Sequence, residues 1–345
     1  MTTYPDIAVD VNVPDHLLTF YRCHGTFAVF FNLLGIFLIW KNRRIVPQYK
    51  MMMINMQVMS LIADAQNTLL MQPVYLFPVF AGYTNGAWWY LFRISSHIQM
   101  GIFLLVLYLQ VASIVCAIVT KYQVVASIGN TTHRPQVFWT FVGFYHSCAF
   151  LIFGVFCFAN LSRQQEEQLV RTKFPNAMNI FSIENVEVYD LELNKWMAVA
   201  TILIVLMLLS SIIISLVFSV ALFRTLRSKR LVISARNYKS HQIAVTSLMA
   251  QAAIPFVIIV IPIGTIVYFF IQVVPCSQEI SNSMMAIYSL HSTLSTAVMI
   301  LSTPQYRLLL RKGFKNSTGV PTPQMTRILP AGPMGRAKKL SEPAI

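Results

Sequence analysis

Asp64 is the one carboxylic acid set among apolar residues, in the stretch MQVMSLIADAQNTLL. If that stretch crosses a bilayer, the acid costs about 2.5–3.5 kcal/mol by insertion scales and must face other helices with a polar partner. Asn32, in FFNLLGIFLI, is the polar residue at matching depth on the preceding apolar stretch, so the two are expected to share a buried polar network. Such a network can be a conformational or ion-linked switch, or a fixed hydrogen-bonding post. Arg93 and His97 have the four-residue spacing that puts two side chains on one helical face. Facing inward, they would meet a polar or acidic small molecule. The alternatives are an Arg93 that reaches lipid headgroups and a His97 bonded to a neighbouring helix. Gln72 and His291 are further candidates to line a binding site. Pro255 and Pro262 each remove a backbone donor from one apolar stretch, which suits a hinge or a permanent bend.

Enzyme signatures are missing. There is no HExxH or paired Glu-x-x-His motif, no phosphate-binding loop and no nucleophile elbow. No enzymatic activity, metal or cofactor is expected. Residues 283–303 contain no lysine, which excludes retinal attached there as a Schiff base.

The elements that must position these residues are seven apolar stretches, 17–40, 51–71, 90–119, 136–159, 196–223, 243–274 and 283–303. A hydrocarbon core of about 30 Å needs about 20 helical residues. The reading is an all-α membrane protein, a seven-transmembrane helix bundle. Of the 26 Lys and Arg, 20 fall on the side reached by the loops after the first, third and fifth stretches and by the C-terminal segment. Ten of the 12 acids fall on the other side. The positive-inside rule then predicts an extracellular N-terminus and a cytoplasmic C-terminus.

With 56% hydrophobic and 11% charged residues and a mean hydropathy of +0.61, the composition is that of an integral membrane protein. The net charge of +14 is confined to short loops and the tail, so anionic lipid accounts for it and nucleic acid is not an expected partner. The longest outer loop, 160–195, has no cysteine, so no disulfide can tie it to the third helix. Before residue 17 there is no apolar segment of signal-peptide type, and the first helix is expected to act as its own insertion signal.

The expected organisation is a short extracellular N-terminus over 1–16 and a receptor-like bundle over 17–303. An amphipathic membrane-surface helix over 304–316 and a disordered cytoplasmic tail over 317–345 follow. Within the long outer loop, NIFSIENVEVYDLEL alternates in the manner of a strand and suggests a small hairpin lid. Asn160, in the sequon NLS, is the candidate glycosylation site on the outer face.

Several strings, taken in order, resemble the nematode serpentine chemoreceptors of class i (Sri), within the Str-type seven-transmembrane superfamily. They are FFNLLGIFLI, QPVYLFPVFAGY, ENVEVYD, AQAAIPFVIIVIP with Gln251, Pro255 and Pro262, and HSTLSTAVMILSTPQYR. The resemblance covers most of the chain from Pro14 to Lys315. It implies a G-protein-coupled chemoreceptor on the sensory cilia of chemosensory neurons, with Asp64, His291, Pro304, Tyr306 and Arg307 as family-pattern positions. The chain departs from the broader rhodopsin-like pattern, because the third helix ends in TKYQ without an acid–arginine pair and no Asn-Pro-x-x-Tyr occurs in the seventh.

The function expected is chemosensory. A small-molecule cue binds among the helices, the sixth helix pivots at Pro255 or Pro262, and a heterotrimeric G protein docks at Lys121, Arg224, Arg227, Lys229, Arg230, Arg236 and Lys239. A transporter or ligand-gated channel is one alternative, and the absence of internal repeats argues against it. A non-sensing receptor scaffold is the other. Homo- and hetero-oligomers are both compatible with the sequence.

Overall fold

The computed structural model describes residues 9–12, 14–43, 45–128, 135–271, 274 and 277–317. The helices are α1 (Asp15–Lys41), α2 (Pro47–Ala65), α3 (Ala87–Phe92), α4 (Ser96–Ala126), α5 (Pro135–Phe156), α6 (Arg163–Lys173), α7 (Lys195–Ser228), α8 (Ala235–Ile271), α9 (Ser277–Ser289), α10 (His291–Ser302) and α11 (Pro304–Ser317). Seven helical rods result: α1, α2, α4, α5, α7, α8, and α9 with α10 as one broken rod. Six of these are long and apolar enough to cross a membrane. The exception is α2, whose Asn55, Gln57, Ser60 and Asp64 lower its hydropathy while turning toward other helices.

Central to the bundle is α4, with Val111, Ala112, Val115, Cys116 and Ala117 wholly buried. The outward faces of other rods present large apolar side chains, among them Phe30, Phe144 and Leu216. That inversion of the soluble pattern belongs to a chain solvated by lipid. Helices come close where a side chain is missing. A Cβ on Gly35 would stand 3.0 Å from Thr296 Cγ2 and 3.2 Å from Gln57 Nε2, so glycine lets α1 approach α2 and α10 there.

Three departures from the sequence reading follow. First, the expected continuous third span over 90–119 is two helices. Residue Arg93 ends α3 in the left-handed conformation, φ 52°, and Ser95 caps α4 by accepting the Ile98 N–H. Second, the long outer loop forms no hairpin of its own. Its strand β3 (Glu187–Val188) pairs antiparallel with β2 (Ala81–Thr84), which pairs with β1 (Pro73–Tyr75). The first and second loops thus share one three-stranded sheet. Third, the seventh rod breaks at Leu290. The carbonyls freed there are taken by side chains, Tyr288 by His291 Nδ1 at 2.7 Å and Ser289 by His24 Nε2 at 2.9 Å.

The sheet, α6 and the start of α1 enclose an apolar core of their own, with Tyr21, Leu76, Val170, Ile180 and Val188 in it. This cap sits at one end of the bundle. The cations of α7 and α8 gather at the other: Arg224, Arg227, Arg230, Arg236 and Lys239 are exposed and Lys229 is half-buried. Residues Met1–Arg307 form one compact unit. A second begins at Leu308 and is described only as the remainder of α11, through Ser317. The tail beyond residue 317 and residues 1–8 lie outside the described residues.

A candidate ligand cavity beside a buried polar network

Between α4, α7, α8 and α9, under the sheet, lies a cavity of about 520 Å³. Its wall is almost wholly apolar: Met100, Phe103, Leu104 and Leu107 come from α4, Met197 and Ile204 from α7, Ile259 and Pro262 from α8, Met285 and Tyr288 from α9. The roof is Tyr75, Ala81 and Tyr83 with Glu187, Tyr189 and Leu191. Several polar wall groups are already engaged. Tyr108 donates to the Ile204 carbonyl at 3.3 Å, Thr201 to Met197 at 2.8 Å, and Thr84 and Ser96 meet at 3.0 Å. The hydroxyls of Tyr83 and Tyr288 have no hydrogen-bond partner among the described residues. A volume of this size with few free polar groups suits a small lipophilic molecule.

Of the sequence-derived ligand candidates, none lines this cavity. Gln72 is buried with φ 48°, and its amide donates to the Thr68 carbonyl at 2.9 Å, closing the π-turn (Gln66–Met71) that ends the second rod. Arg93 does not share a helical face with His97, because the chain turns between them. It is exposed, lies over the Trp89 ring at 4.9 Å and pairs with Glu184 at 3.7 Å. His97 stands one layer behind the wall. It stacks on Phe156 with centroids 4.7 Å apart and meets the Tyr189 hydroxyl at 3.1 Å through Nδ1. Both of those partners line the cavity.

His291 belongs to a different centre. Asp64 Oδ2 accepts from Asn32 Nδ2 at 3.1 Å and from the Ser292 hydroxyl. Asn32 Oδ1 accepts from Gln57 Nε2 at 2.6 Å and from Thr296 at 3.0 Å, and Gln57 also reaches Thr296 at 2.5 Å. Across this cluster, Gln110 donates to Ser60 at 3.1 Å and meets His291 Nε2 at 2.6 Å. The carbonyl held by His291 Nδ1 assigns the proton to that nitrogen, leaving Nε2 to accept from Gln110. Asp64 Oδ1 lies 3.9 Å from His291 Nδ1 and accepts no hydrogen bond among the described residues. The network therefore ties α1, α2, α4 and α10 together. Asn32 and Asp64 were legible in the sequence. Gln57, Gln110, Ser292 and Thr296 were missed, although Gln57 and Asp64 stand two turns apart on one helix face.

Tyr288 joins the two centres. Its ring edge meets Phe103 in the cavity wall at 5.6 Å, and its face stacks on His291 at 4.9 Å. Farther along α8, Pro255 leaves the Gln251 carbonyl without its helical donor, and the Ser295 hydroxyl of α10 supplies one at 3.3 Å. Pro262 lies in the cavity wall itself. Lys121, expected among the exposed cations, is instead buried at the end of α4 with Nζ 4.5 Å from the Tyr49 ring centre. Asn160 is exposed beside α6, and its carbonyl accepts from Asn194 at 2.8 Å.

In the cap, charge is handled by pairing. Lys173 reaches Asp190 at 2.6 Å. Burial alone would raise Asp190, but this bond and the N–H groups of Leu193 and Glu192 outweigh it and hold the carboxyl below its ordinary value. Glu166 goes the other way. Burial, with Glu187 nearby, pushes it up to about 7 although it accepts the Val188 N–H at 2.8 Å and lies 3.5 Å from Arg163.

Over 92% of this chain and 93% of the other, the fold is similar to the crystal structure of squid rhodopsin, with a TM-score of 0.57 and 13% identity. At that identity the likeness speaks for the seven-helix bundle alone. Among curated proteins nothing matches the chain. Residues 7–310 match the family model of the serpentine type 7TM GPCR chemoreceptor Sri, and with nearly the whole chain inside it, this multi-pass membrane protein belongs to that receptor family.

Proposed function

We propose that the chain is a chemosensory receptor that takes a small lipophilic molecule into the sheet-roofed cavity and signals to a heterotrimeric G protein at its basic end. The observation that carries this reading is the cavity of about 520 Å³, with Pro262 in its wall, on the same helix whose opposite end bears Arg236 and Lys239. A ligand that packs better against one setting of α8 shifts the population toward that setting. Pro255 and Pro262 serve as the pivots, and movement of α8 against α7 opens the surface formed by Arg224, Arg227, Lys229, Arg230, Arg236 and Lys239. Coupling of this kind is typically worth about 1–3 kcal/mol.

The distribution of charge supports an extracellular cap and a cytoplasmic basic end, where anionic lipid adds to retention. In this orientation the cap faces the cue, Asn160 is open to glycosylation, and α11 lies along the inner leaflet. Family membership supports display on the sensory cilium of a chemosensory neuron.

The test fills the cavity. Leu104→Trp is expected to abolish ligand-evoked calcium or cyclic-nucleotide responses in expressing cells while surface staining stays at the wild-type level. A normal response from the well-displayed variant would remove the cavity from the mechanism.

A further inference from the structure

The cavity wall carries no charged group except at one point. Along the extended segment of β3, Val186 and Val188 point into the cap core, whereas Glu187, Tyr189 and Leu191 lie along the cavity. That is the alternation of an extended chain, and it sets Glu187 on the cavity side of the strand, where its carboxyl accepts the His97 backbone N–H. Among the described residues, Glu187 is the single acidic or basic residue on the wall.

It also lacks a cation of its own. Arg163 is engaged by Glu166 at 3.5 Å and Glu167 at 3.6 Å, and it acts on Glu187 only at longer range. No ion pair is formed by Glu187 among the described residues, where Lys173 is likewise committed to Asp190. Glu166 adds a second negative group behind the strand. Burial pushes the Glu187 carboxyl up from its ordinary value, against the lowering effect of the His97 N–H and of Arg163. Beside it, Phe80 and Phe156 pack against Tyr189 with centroids 5.8 and 5.9 Å apart. Aromatic faces around a desolvated carboxylate favour an organic cation over a neutral polar group.

Granting that the cavity is the receptor's ligand site, we propose that it is built for a lipophilic amine, whose ammonium group pairs with Glu187 while its hydrocarbon body fills the space between α4, α7 and α8. The sheet joining the two loops then acts as the specificity element, because it alone brings a carboxyl group to an otherwise apolar wall.

The test uses the full-length receptor in lipid nanodiscs at pH 7.4, with empty nanodiscs correcting for membrane partitioning. It is titrated with two size-matched pairs, 4-phenylbutylamine against 4-phenylbutanol and octylamine against octanol. In the wild type the amine of each pair is expected to bind about ten- to a hundredfold more tightly than the alcohol. Glu187→Gln is expected to erase that preference, so that the amine and the alcohol of each pair bind alike. Equal affinities in the wild type, or a preference that survives Glu187→Gln, would overturn the inference while leaving the cavity as a neutral-ligand site. The wild-type pairs decide the matter even if the variant does not fold. A receptor that binds neither pair overturns the cavity reading together with this one.

Discussion

The cavity and the polar network are neighbours that share Tyr288, yet they are built on opposite principles. In the cavity wall, dispersion and apolar burial dominate, and most polar groups that border it are occupied elsewhere. In the network nearly every bond has a named donor and acceptor, and the side chains of Asp64, His291, Asn32 and Ser292 are sealed from solvent. Apolar contact is additive and forgiving, so one wall residue can change while its neighbours relax. A closed set of hydrogen bonds is cooperative, and removing one member strands the others. The difference teaches where the fold tolerates change: the cavity wall, proposed here as the ligand site, is free to vary, and the network is not.

The largest expected effect comes from breaking the network at its acid. Asp64→Ala takes the acceptor from the Ser292 hydroxyl and one of three acceptors from Asn32 Nδ2, which keeps the Ala28 carbonyl and Ser292 Oγ, at about 1–3 kcal/mol for the buried hydroxyl left without an acceptor and more for the cavity that the truncation leaves. Thermal unfolding of the purified receptor should show a loss of about 2–4 kcal/mol, with Asp64→Asn losing less than half of that. If Asp64→Ala were as stable as the wild type, the cluster would be ornamental and the contrast with the cavity would disappear.

Next comes Gly35, which allows the network to close. Gly35→Val would press a branched side chain into Thr296 and Gln57, and overpacking of this kind costs about 1–3 kcal/mol. The same assay reads it. A tolerated valine would mean that α1 can move away without breaking Asn32 from Gln57. By contrast, Leu104→Ala in the cavity wall extends a space that already exists. It is expected to cost less than the roughly 2–5 kcal/mol of a truncation in solid core, while weakening ligand binding.

How much of this was legible in the sequence follows from the same contrast. Seven rods were readable because the demand for about 20 apolar residues per span is strict and leaves a long signal. Asp64 stood out because an acid among apolar residues is rare. Its partners did not, since Ser292, Thr296, Gln57 and Gln110 are polar residues of ordinary cost, and only the packing of α1, α2, α4 and α10 makes them one cluster. The cavity itself was not legible for a related reason. Sequence reasoning looked for polar residues near the outer ends of helices and found Gln72, Arg93, His97 and His291. The wall is instead apolar, and apolar residues at helical spacing look alike whether they face a cavity, a core or lipid. The turn at Arg93 was missed because nothing in WWYLFRISSH breaks a helix by composition. The β3 pairing joins residues about a hundred positions apart, beyond the reach of any local pattern.

The smallest effect, and the one that separates the roof from the network most finely, is its response to pH. Glu166 holds β3 through the Val188 N–H, and in the folded cap burial pushes it up to about 7 from an ordinary 4.5. A carboxyl whose pKa is raised by folding holds its proton more tightly in the folded state. The stability it contributes is thus present at low pH and is lost as the pH rises from about 4.5 through 7. Asp190 has the reverse sign, since its pKa is lowered. Its contribution is present above an ordinary value of 3.8 and fades only in stronger acid. Among the acids of the cap, the falling slope between about pH 5 and 8 therefore belongs to Glu166, together with Glu187, which is raised as well. Hydrogen exchange at the β2 and β3 amides, corrected for intrinsic rate, should show protection falling across about that interval, and Glu166→Gln should flatten the fall. Amides of α4 around Val115, sealed in the bundle, should change least. A roof whose protection ignores pH, or follows the same curve without Glu166, would show that Val188 is held by the sheet alone.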